Sequence, residues 1–408
     1  MSSHPMRTIP LLAPVFLVAL LAGCTKQEPK SDVGPTEALA AQSFRRDWAA
    51  NLGLKNDNVE RVFAREDMII AYTKRQQAFV INRDSGRIRF TTEITKSPIR
   101  PAPPVLLKDK IVFPTISTLE IYRRDGKIER SYKLENSLRT HAAGIPTATR
   151  MVFGIDVPGA GRMVCIELGS PQQVRQAWEL MSDKGAAISS GPVIQQGIAY
   201  AAFEDGWVYA VNIESRQGIW STSQGPQYRT FGPVHADLRV DDFGVYVPST
   251  DTKFYCLDRN SGDTKWEYHA GHSLREPCEV TPTTVYLPVP NRGIVAIDKQ
   301  SGPKDGQPRW IYAQGQKFVS EDEKFAYLQR KDNSVVAIDK MTGQAVFTTH
   351  RTDLVAFAVN TKGDGMIYAA TKDGQVLAIA PVLKAGFMGE VAQWVPVSEN
   401  RAQAVAMK

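Results

Sequence analysis

A short unit that recurs along the chain constrains its fold more than any other feature, and Val245–Trp266 shows this unit most clearly. Two apolar, strand-forming runs, Val245–Pro248 and Phe254–Leu257, flank a polar turn. A tight turn at Asp258–Gly262 then leads to a third strand that reaches Trp266. Two hairpins in about 22 residues cannot bury both of their faces alone. The unit therefore needs copies of itself to stack on.

The copies share three positions: an acidic or amide residue that starts a turn, usually a glycine four residues later, and an aromatic residue after the turn. The turn-start residues are Asn82, Glu167, Asn212, Asp258, Asp298 and Asp339, and degenerate or partial copies occupy Leu119–Tyr132 and Ile367–Ala380. The short acceptor side chain can bond backbone N–H groups two residues on, and glycine accepts a positive φ. The aromatic residue can dock against the next copy. Eight copies at a spacing of roughly 40–46 residues indicate propeller blades.

An upstream strand precedes each copy, as at Ser190–Ile194 and Phe231–Val234. Each blade is thus predicted to be a four-stranded antiparallel meander, and the chain an all-β, eight-bladed β-propeller. The last copy lacks an obvious fourth strand. We predict that the N-terminal strand around Trp48 closes the ring, because its distance to Val59–Phe63 matches the spacing elsewhere. Closure by the C-terminal strand around Trp394 is the alternative.

The N-terminus has the pattern of a targeting segment. Arg7 supplies a positive charge, and the apolar stretch Leu11–Leu21 is too short to span a bilayer. The string Leu-Ala-Gly-Cys that ends at Cys24 resembles the bacterial lipobox, which implies cleavage before Cys24 and acylation of that residue. Thr25, rather than Asp, follows it, and in enterobacterial-type sorting this implies transfer to the outer membrane. A plain secretory peptide is the alternative.

Composition shifts divide the chain into four parts. We predict a lipoprotein signal peptide at 1–23, a lipidated cysteine and flexible tether at 24–43, the propeller at 44–380 and a C-terminal tail at 381–408. The formal charge of +6 is mild for 408 residues, and no Lys/Arg run is interleaved with aromatic residues. The pattern therefore does not favour nucleic-acid binding.

Few residues suggest chemistry. The six histidines are scattered, and no nucleophile, phosphate-binding or dinucleotide motif occurs, so we expect no catalytic residue and no metal site. Cys165 and Cys256 occupy a position that is alanine or valine in other copies, which predicts small buried side chains. A disulfide between Cys256 and Cys278 stays open, because sequence does not establish the geometry.

Cations recur in the connections that lead into the innermost strands. In a propeller these connections crowd one face near the central channel. The functional hypothesis is a basic ring that binds an anionic ligand or an acidic partner. The alternative is ordinary solvated loop charge, diluted by Glu276 and Glu279. These cations and polar groups are Arg100, Arg139, His141, Arg229, Arg275 and Lys317.

The copies resemble the PQQ-like β-propeller repeat over about residues 44–380, with matches at Val208–Asn212, Val295–Asp298 and Val336–Asp339. One branch with this repeat, the quinoprotein dehydrogenases, holds PQQ and calcium and carries an adjacent-cysteine disulfide. This chain has no adjacent cysteines and no recognisable ligand set. We therefore expect no cofactor, although a PQQ/calcium-dependent oxidoreductase is kept as an alternative.

A lipobox, a short tether and one eight-bladed propeller resemble the layout of the BamB family, the propeller lipoproteins of the outer-membrane β-barrel assembly machinery. The resemblance implies a non-catalytic periplasmic scaffold, held in the outer membrane through acylated Cys24, that docks the barrel-inserting subunit and helps handle unfolded outer-membrane proteins. The family's partner contact is a Leu-Arg pair, for which Leu138-Arg139 and Leu274-Arg275 are the candidates here. A carbohydrate- or peptidoglycan-binding propeller is a third hypothesis, with Trp207 and Tyr228 as hints.

Overall fold

The computed structural model describes residues 42–144, 149–157, 160–168, 174–182, 184–220, 228–229, 232–349, 351 and 353–383. These residues form eight antiparallel sheets and contain no α-helix, which confirms the predicted eight-bladed β-propeller. Accordingly, no helix among them has the length and apolar character needed to cross a membrane. The first strand begins at Gln42 and the last ends at Leu383, so the propeller extends slightly beyond the predicted 44–380 at both ends.

Each blade has four strands that run from the central axis to the rim, and blade 4 has a fifth. Blades 1 to 3 comprise β2 (Val59–Arg65), β3 (Met68–Thr73), β4 (Gln77–Asn82), β5 (Ile88–Glu93); β6 (Val105–Leu106), β7 (Lys110–Pro114), β8 (Thr118–Arg123), β9 (Ile128–Lys133); and β10 (Leu138–Gly144), β11 (Arg150–Val157), β12 (Ala160–Leu168), β13 (Val174–Leu180). Blades 4 to 6 comprise β14 (Val193–Gln195), β15 (Ile198–Ala202), β16 (Trp207–Asn212), β17 (Gly218–Trp220), β18 (Tyr228–Arg229); β19 (Arg239–Val240), β20 (Val245–Pro248), β21 (Lys253–Leu257), β22 (Thr264–His269); and β23 (Glu279–Val280), β24 (Thr284–Val289), β25 (Gly293–Asp298), β26 (Trp310–Tyr312). Blades 7 and 8 comprise β27 (Gly315–Glu321), β28 (Phe325–Arg330), β29 (Val335–Asp339), β30 (Ala345–Thr348); and β31 (Leu354–Phe357), β32 (Ile367–Thr371), β33 (Gln375–Leu383) with β1 (Gln42–Asn51).

The N-terminal strand closes the ring, as predicted. Strand β1 is the outermost strand of blade 8, where it pairs antiparallel with β33 and sets Trp48 opposite Ala378. Blade 8 contacts blade 1 through β31 and β2. Trp394, the alternative closing residue, lies outside the described residues. Both ends of the propeller therefore meet in one sheet, so the ring cannot open without loss of the β1–β33 pairing.

The three repeated positions form a joint between neighbouring blades. In blade 6, the Asp298 carboxylate accepts hydrogen bonds from the backbone N–H groups of Gln300 and Ser301, and Gly302 has a φ of +67°. A Cβ atom on Gly302 would lie 2.6 Å from the ring of Trp266 in blade 5. The Trp266 indole donates to the Lys299 carbonyl oxygen at 3.0 Å. The aromatic residue of one blade thus covers the turn of the next, as the sequence predicted.

Between the blades, the second and third strands form the core. All six residues of β3 are buried, and so are all five of β32. Tyrosines on the second strands, such as Tyr200, Tyr246 and Tyr286, are fully buried between sheets. Cys165 and Cys256 are fully buried as predicted, and Cys278 is a free thiol, as is Cys256. Successive side chains of each strand point to opposite faces of the sheet, and those of neighbouring sheets pack together to form the core.

Blade 4 departs from the pattern. Its fourth strand, β17, has only three residues, and β18 pairs with the other end of β16. The turn of this blade begins at Asn212 and has Arg216, with a φ of +61°, where other blades have glycine.

Candidate functional site: the central channel

The innermost strands of the blades surround a central channel with a volume of about 1140 Å³. Every blade contributes to its wall, because the first strand of each meander is the one nearest the axis. A cavity of this size can hold a small molecule. The channel is therefore a candidate binding site.

The channel wall is mixed in charge, so the basic residues predicted at the connections share it with carboxylates. Carboxylates are as numerous as cations because the strands themselves, and not only the connections, bring charged side chains to the axis. The cations are Arg61, Arg65, Arg239, Arg275 and Lys317; the carboxylates are Glu60, Glu66, Asp237, Glu276 and Glu279; and His141 and His235 also line the wall.

An ion pair between blades 5 and 6 lies in the channel. The Arg239 guanidinium donates to both carboxylate oxygens of Glu279, at 3.0 and 3.3 Å. Burial disfavours a charged guanidinium, but the Glu279 carboxylate outweighs this cost and raises the pKa of Arg239. Arg239 and Glu279 each begin the innermost strand of their blade, where they occupy equivalent positions opposite Tyr246 and Tyr286.

Two further cations enter the same region without a carboxylate of their own. Arg65 donates to the adjacent Ala64 carbonyl oxygen at 3.1 Å, and Lys317 donates to the Phe357 carbonyl oxygen at 3.4 Å. Burial lowers the pKa of Arg65 and that of Lys317. The Glu279 carboxylate raises the pKa of both side chains, but by less than burial lowers it. Arg65 and Lys317 therefore share Glu279 as a counter-charge that compensates only part of the cost of burial.

On the wall of blades 3 to 5, His141 and Asp237 form a second pair. The His141 Nδ1 atom lies 2.6 Å from one Asp237 oxygen, and the Gly191 N–H donates to the other at 2.7 Å. Although burial alone would raise it, the hydrogen bond from His141 and that from Gly191 hold the pKa of Asp237 below its ordinary value. Both carboxylate oxygens of Asp237 are therefore hydrogen-bonded to neighbouring groups, so Asp237 adds little uncompensated negative charge to the channel.

The structure separates the predicted basic residues. His141 and Lys317 line the channel, as does Arg275. Arg100 is not part of the described channel wall; its exposed side chain pairs with Glu60 at 2.5 Å. Arg229 lies in β18, and its side chain is outside the described residues. The proposed ring is thus only partly assembled by the fold.

The two Leu-Arg pairs also differ. Arg139 is held by Asp156 and Glu204 and donates to the Ile188 carbonyl oxygen at 2.7 Å. Leu274 is fully buried between blades 5 and 6, whereas Arg275 is exposed at the channel and makes no ion pair with the described residues. Only the second pair therefore presents an uncommitted guanidinium.

Sequence reasoning missed Arg61, Arg65 and Arg239. Arg61 and Arg65 are four residues apart on β2, so strand periodicity brings both to the same face. Arg61 donates to the Pro101 carbonyl oxygen at 2.6 Å, and burial lowers its pKa. The sequence signal was a pair of arginines on one face of an innermost strand. This signal went undetected because charged residues were considered only in the connections between strands.

Among the described residues, no group of three or more His, Cys, Asp and Glu side chains is arranged to hold a metal ion. Their exposed large apolar side chains are Ile99, Ile128, Met181, Ile219 and Met341, none of them aromatic. Trp207 is half-buried, and the Tyr228 side chain is outside the described residues. The described phenylalanine, tryptophan and tyrosine side chains are thus half-buried or buried.

A family model described as outer membrane protein assembly factor BamB matches residues 37–268 and 204–317. This chain belongs to that family. The outer membrane protein assembly factor BamB of Alkalilimnicola ehrlichii is 26% identical over 149 residues, which are 34% of this chain and 35% of that protein. The chain thus spans about a third of the length of that curated relative.

Solved structures show the same architecture. BamB from Moraxella catarrhalis superposes with a TM-score of 0.60 at 13% identity, covering 84% of this chain and 99% of that one. The computationally designed Ika8 protein superposes with a TM-score of 0.57 at 11% identity, covering 83% and 100%. At such low identities the likeness shows the fold alone, so function rests on the family match and on the site.

Proposed function

We propose that this protein is a non-catalytic, periplasmic scaffold, anchored in the outer membrane through acylated Cys24, that supports the assembly of outer-membrane proteins. The observation that carries the proposal is the match of most of the propeller to the BamB family. The described residues add to it, because they form a closed ring of blades with charged connecting loops. A rigid ring of this kind presents loops in fixed positions for protein partners.

The contact that we favour is Leu274-Arg275. Leu274 is buried between two blades and so holds its loop in place, whereas the neighbouring Arg275 is exposed and unpaired among the described residues. A preorganised, exposed arginine is a common interface anchor. Arg139 suits this role less well, because a partner would have to break its pairs with Asp156 and Glu204.

Site-specific crosslinking tests the contact. A photoreactive amino acid replaces Arg275, Arg139 or, as a control, Lys304, which is exposed on a turn between β25 and β26. After irradiation of intact envelopes, we expect position 275 to capture the barrel-inserting subunit and position 304 to capture none. Capture at 139 alone would move the contact to the first Leu-Arg pair. Recovery of no assembly component from any position would overturn the scaffold proposal.

The anchor is tested separately. Cys24→Ser removes the thiol that acylation requires. Metabolic labelling with palmitate should mark the wild-type protein and not the variant, and the variant should leave the outer-membrane fraction for the soluble periplasm or keep its uncleaved signal peptide. An unlabelled wild-type protein would contradict lipidation without affecting the proposed partner.

A catalytic role makes a different prediction. A PQQ-dependent oxidoreductase would oxidise alcohols or sugars after reconstitution with PQQ and calcium, with reduction of an artificial dye. We expect no dye reduction above that of the free cofactor. Turnover by the reconstituted protein would replace the scaffold proposal with an enzymatic one.

A further inference from the structure

We propose that the central channel binds a small multivalent anion with carboxylate or phosphate groups, held between Arg65, Arg239 and Lys317. These cations come from blades 1, 5 and 7, so the site exists only when the ring is closed. All three line the same cavity of about 1140 Å³. These three cations are distinct from Arg275, the partner contact favoured above, which lines the same channel.

The three cations line the same channel from different sides of the ring. Arg65 belongs to the blade that lies across the ring from Arg239, yet its charge interacts with both Arg239 and Glu279. Lys317 interacts with the same two side chains. All three side chains line one channel, with blade 1 on the opposite side of the ring from blade 5.

The carboxylates nearby leave this cluster positively charged. Glu279 is engaged by Arg239 through both of its oxygens. Asp237 is occupied by His141 and Gly191. The Glu276 carboxylate opposes the lowering of the Lys317 pKa, but the Glu276 side chain is exposed to solvent. No carboxylate among the described residues lies within ion-pair distance of Arg65 or Lys317.

The donor geometry suits oxyanions. Arg65 and Lys317 each donate one hydrogen bond to a backbone carbonyl oxygen, and their other N–H groups have no acceptor among the described residues. Guanidinium and ammonium groups bind carboxylate and phosphate oxygens through charge-assisted hydrogen bonds. Arg65 is half-buried and Lys317 is exposed to the channel, and both lack a counter-charge within ion-pair distance among the described residues. A bound anion would supply it.

Isothermal titration of the full-length protein with citrate and with pyrophosphate, at constant ionic strength, tests this site. The channel variant is Arg65→Met/Lys317→Met. The control, Arg123→Met/Lys331→Met, removes the same charges from exposed positions. We expect saturable binding of at least one anion by the wild-type protein and by the control. Affinity should fall by at least about tenfold in the channel variant. The preferred anion identifies carboxylate or phosphate chemistry.

Two results would overturn the proposal: no saturable binding of either anion by the wild-type protein, or equal losses in the channel variant and the control. Circular dichroism and thermal unfolding establish that the variants are folded. If the double variant does not fold, Lys317→Met alone replaces it. Without ligand, Lys317→Met should unfold at a temperature no lower than the wild type, because it removes a poorly compensated charge. The anion should raise the unfolding temperature of the wild type and raise that of the variant less.

Discussion

The indole nitrogen of Trp48 donates a hydrogen bond to the backbone carbonyl oxygen of Arg83 at 2.9 Å, across the junction where the ring closes. The same bond recurs between other blades: Trp178 donates to Ile213, and Trp310 to Lys340, at 2.8 and 3.0 Å. Gly86 lies beneath Trp48, as Gly343 lies beneath Trp310. The closure therefore uses the ordinary joint between blades, made by a strand from the opposite end of the chain.

Trp48→Ala should lower the free energy of unfolding by about 3–5 kcal/mol, because it removes a buried ring and its hydrogen bond. Trp48→Phe should cost less, since it keeps most of the ring. Trp310→Ala is the matched control within a blade. Denaturant unfolding should give similar losses for Trp48→Ala and Trp310→Ala, but only the former should expose residues 42–51 to protease. Equal protection of that strand in both variants would contradict its role in closure.

At the glycine position of the joint, replacing glycine by alanine should destabilise the protein, whereas introducing glycine in blade 4 should stabilise it. Gly343→Ala places a Cβ atom 2.4 Å from Trp310 at a φ of +72°, so it should cost at least about 2 kcal/mol. Arg216→Gly relieves the same left-handed conformation in blade 4 and should stabilise by about 0.5 kcal/mol. Both values come from denaturant unfolding. A stabilised Gly343→Ala variant would refute the packing argument.

Asp298→Asn should make the free energy of unfolding depend less on pH in the acid range. Although burial alone would raise it, hydrogen bonding from Ser301 and the charge of Arg309 hold the pKa of Asp298 below its ordinary value. Its contribution is therefore complete above the unfolded-state pKa of about 3.9 and is lost as the pH falls through the lower folded-state pKa. Asparagine keeps the turn, as Asn82 does in blade 1.

Thermal unfolding between about pH 6 and pH 2.5 measures this effect. The wild type should lose more stability than Asp298→Asn as the pH falls. Asp298→Ala, which also loses the turn acceptor, should be less stable than Asp298→Asn at every pH. Parallel curves for the wild type and Asp298→Asn would show that the carboxylate charge is irrelevant.

Lys340→Met should be among the most destabilising changes of a lysine in this protein. Lys340 pairs with the buried carboxylate of Glu321 at 3.2 Å, and that carboxylate also accepts a hydrogen bond from Tyr286 at 2.8 Å. Loss of the lysine leaves a buried charge, at a cost of about 3 kcal/mol. Lys340→Met/Glu321→Gln should recover most of this loss.

Lys299→Met is the control for that pair. It removes the equivalent lysine of blade 6, whose partner Asp241 is more exposed. The cost should be about 1 kcal/mol or less. If unfolding experiments gave Lys299→Met and Lys340→Met the same cost, burial of Glu321 would not be the cause.

The repeated turn positions were predictable because their stabilising contacts lie within a few residues along the chain. Asp298 and Gly302 shape one turn through backbone bonds within five residues, so their spacing is visible in the chain. Strand β18 was not predictable, since it pairs with one end of β16 from within a long insertion. The closing strand was predictable only by its distance to β2, with Trp394 as a competing candidate.

The site was harder to predict than the fold. Arg139 and Arg275 each follow Ser-Leu in the sequence, but tertiary contacts engage the first with Asp156 and Glu204 and leave the second exposed. Arg65 is an ordinary strand residue by sequence. It becomes notable only because the ring brings blade 1 opposite blade 5.

The sequence alone determined the blade count, the turn chemistry and the joint between blades, since these depend on contacts that recur at fixed spacing. Tertiary structure decided the charge of the channel and the pairing of each loop arginine. Residues from distant blades meet there, and electrostatic energy depends on their distances and burial rather than on their order in the chain.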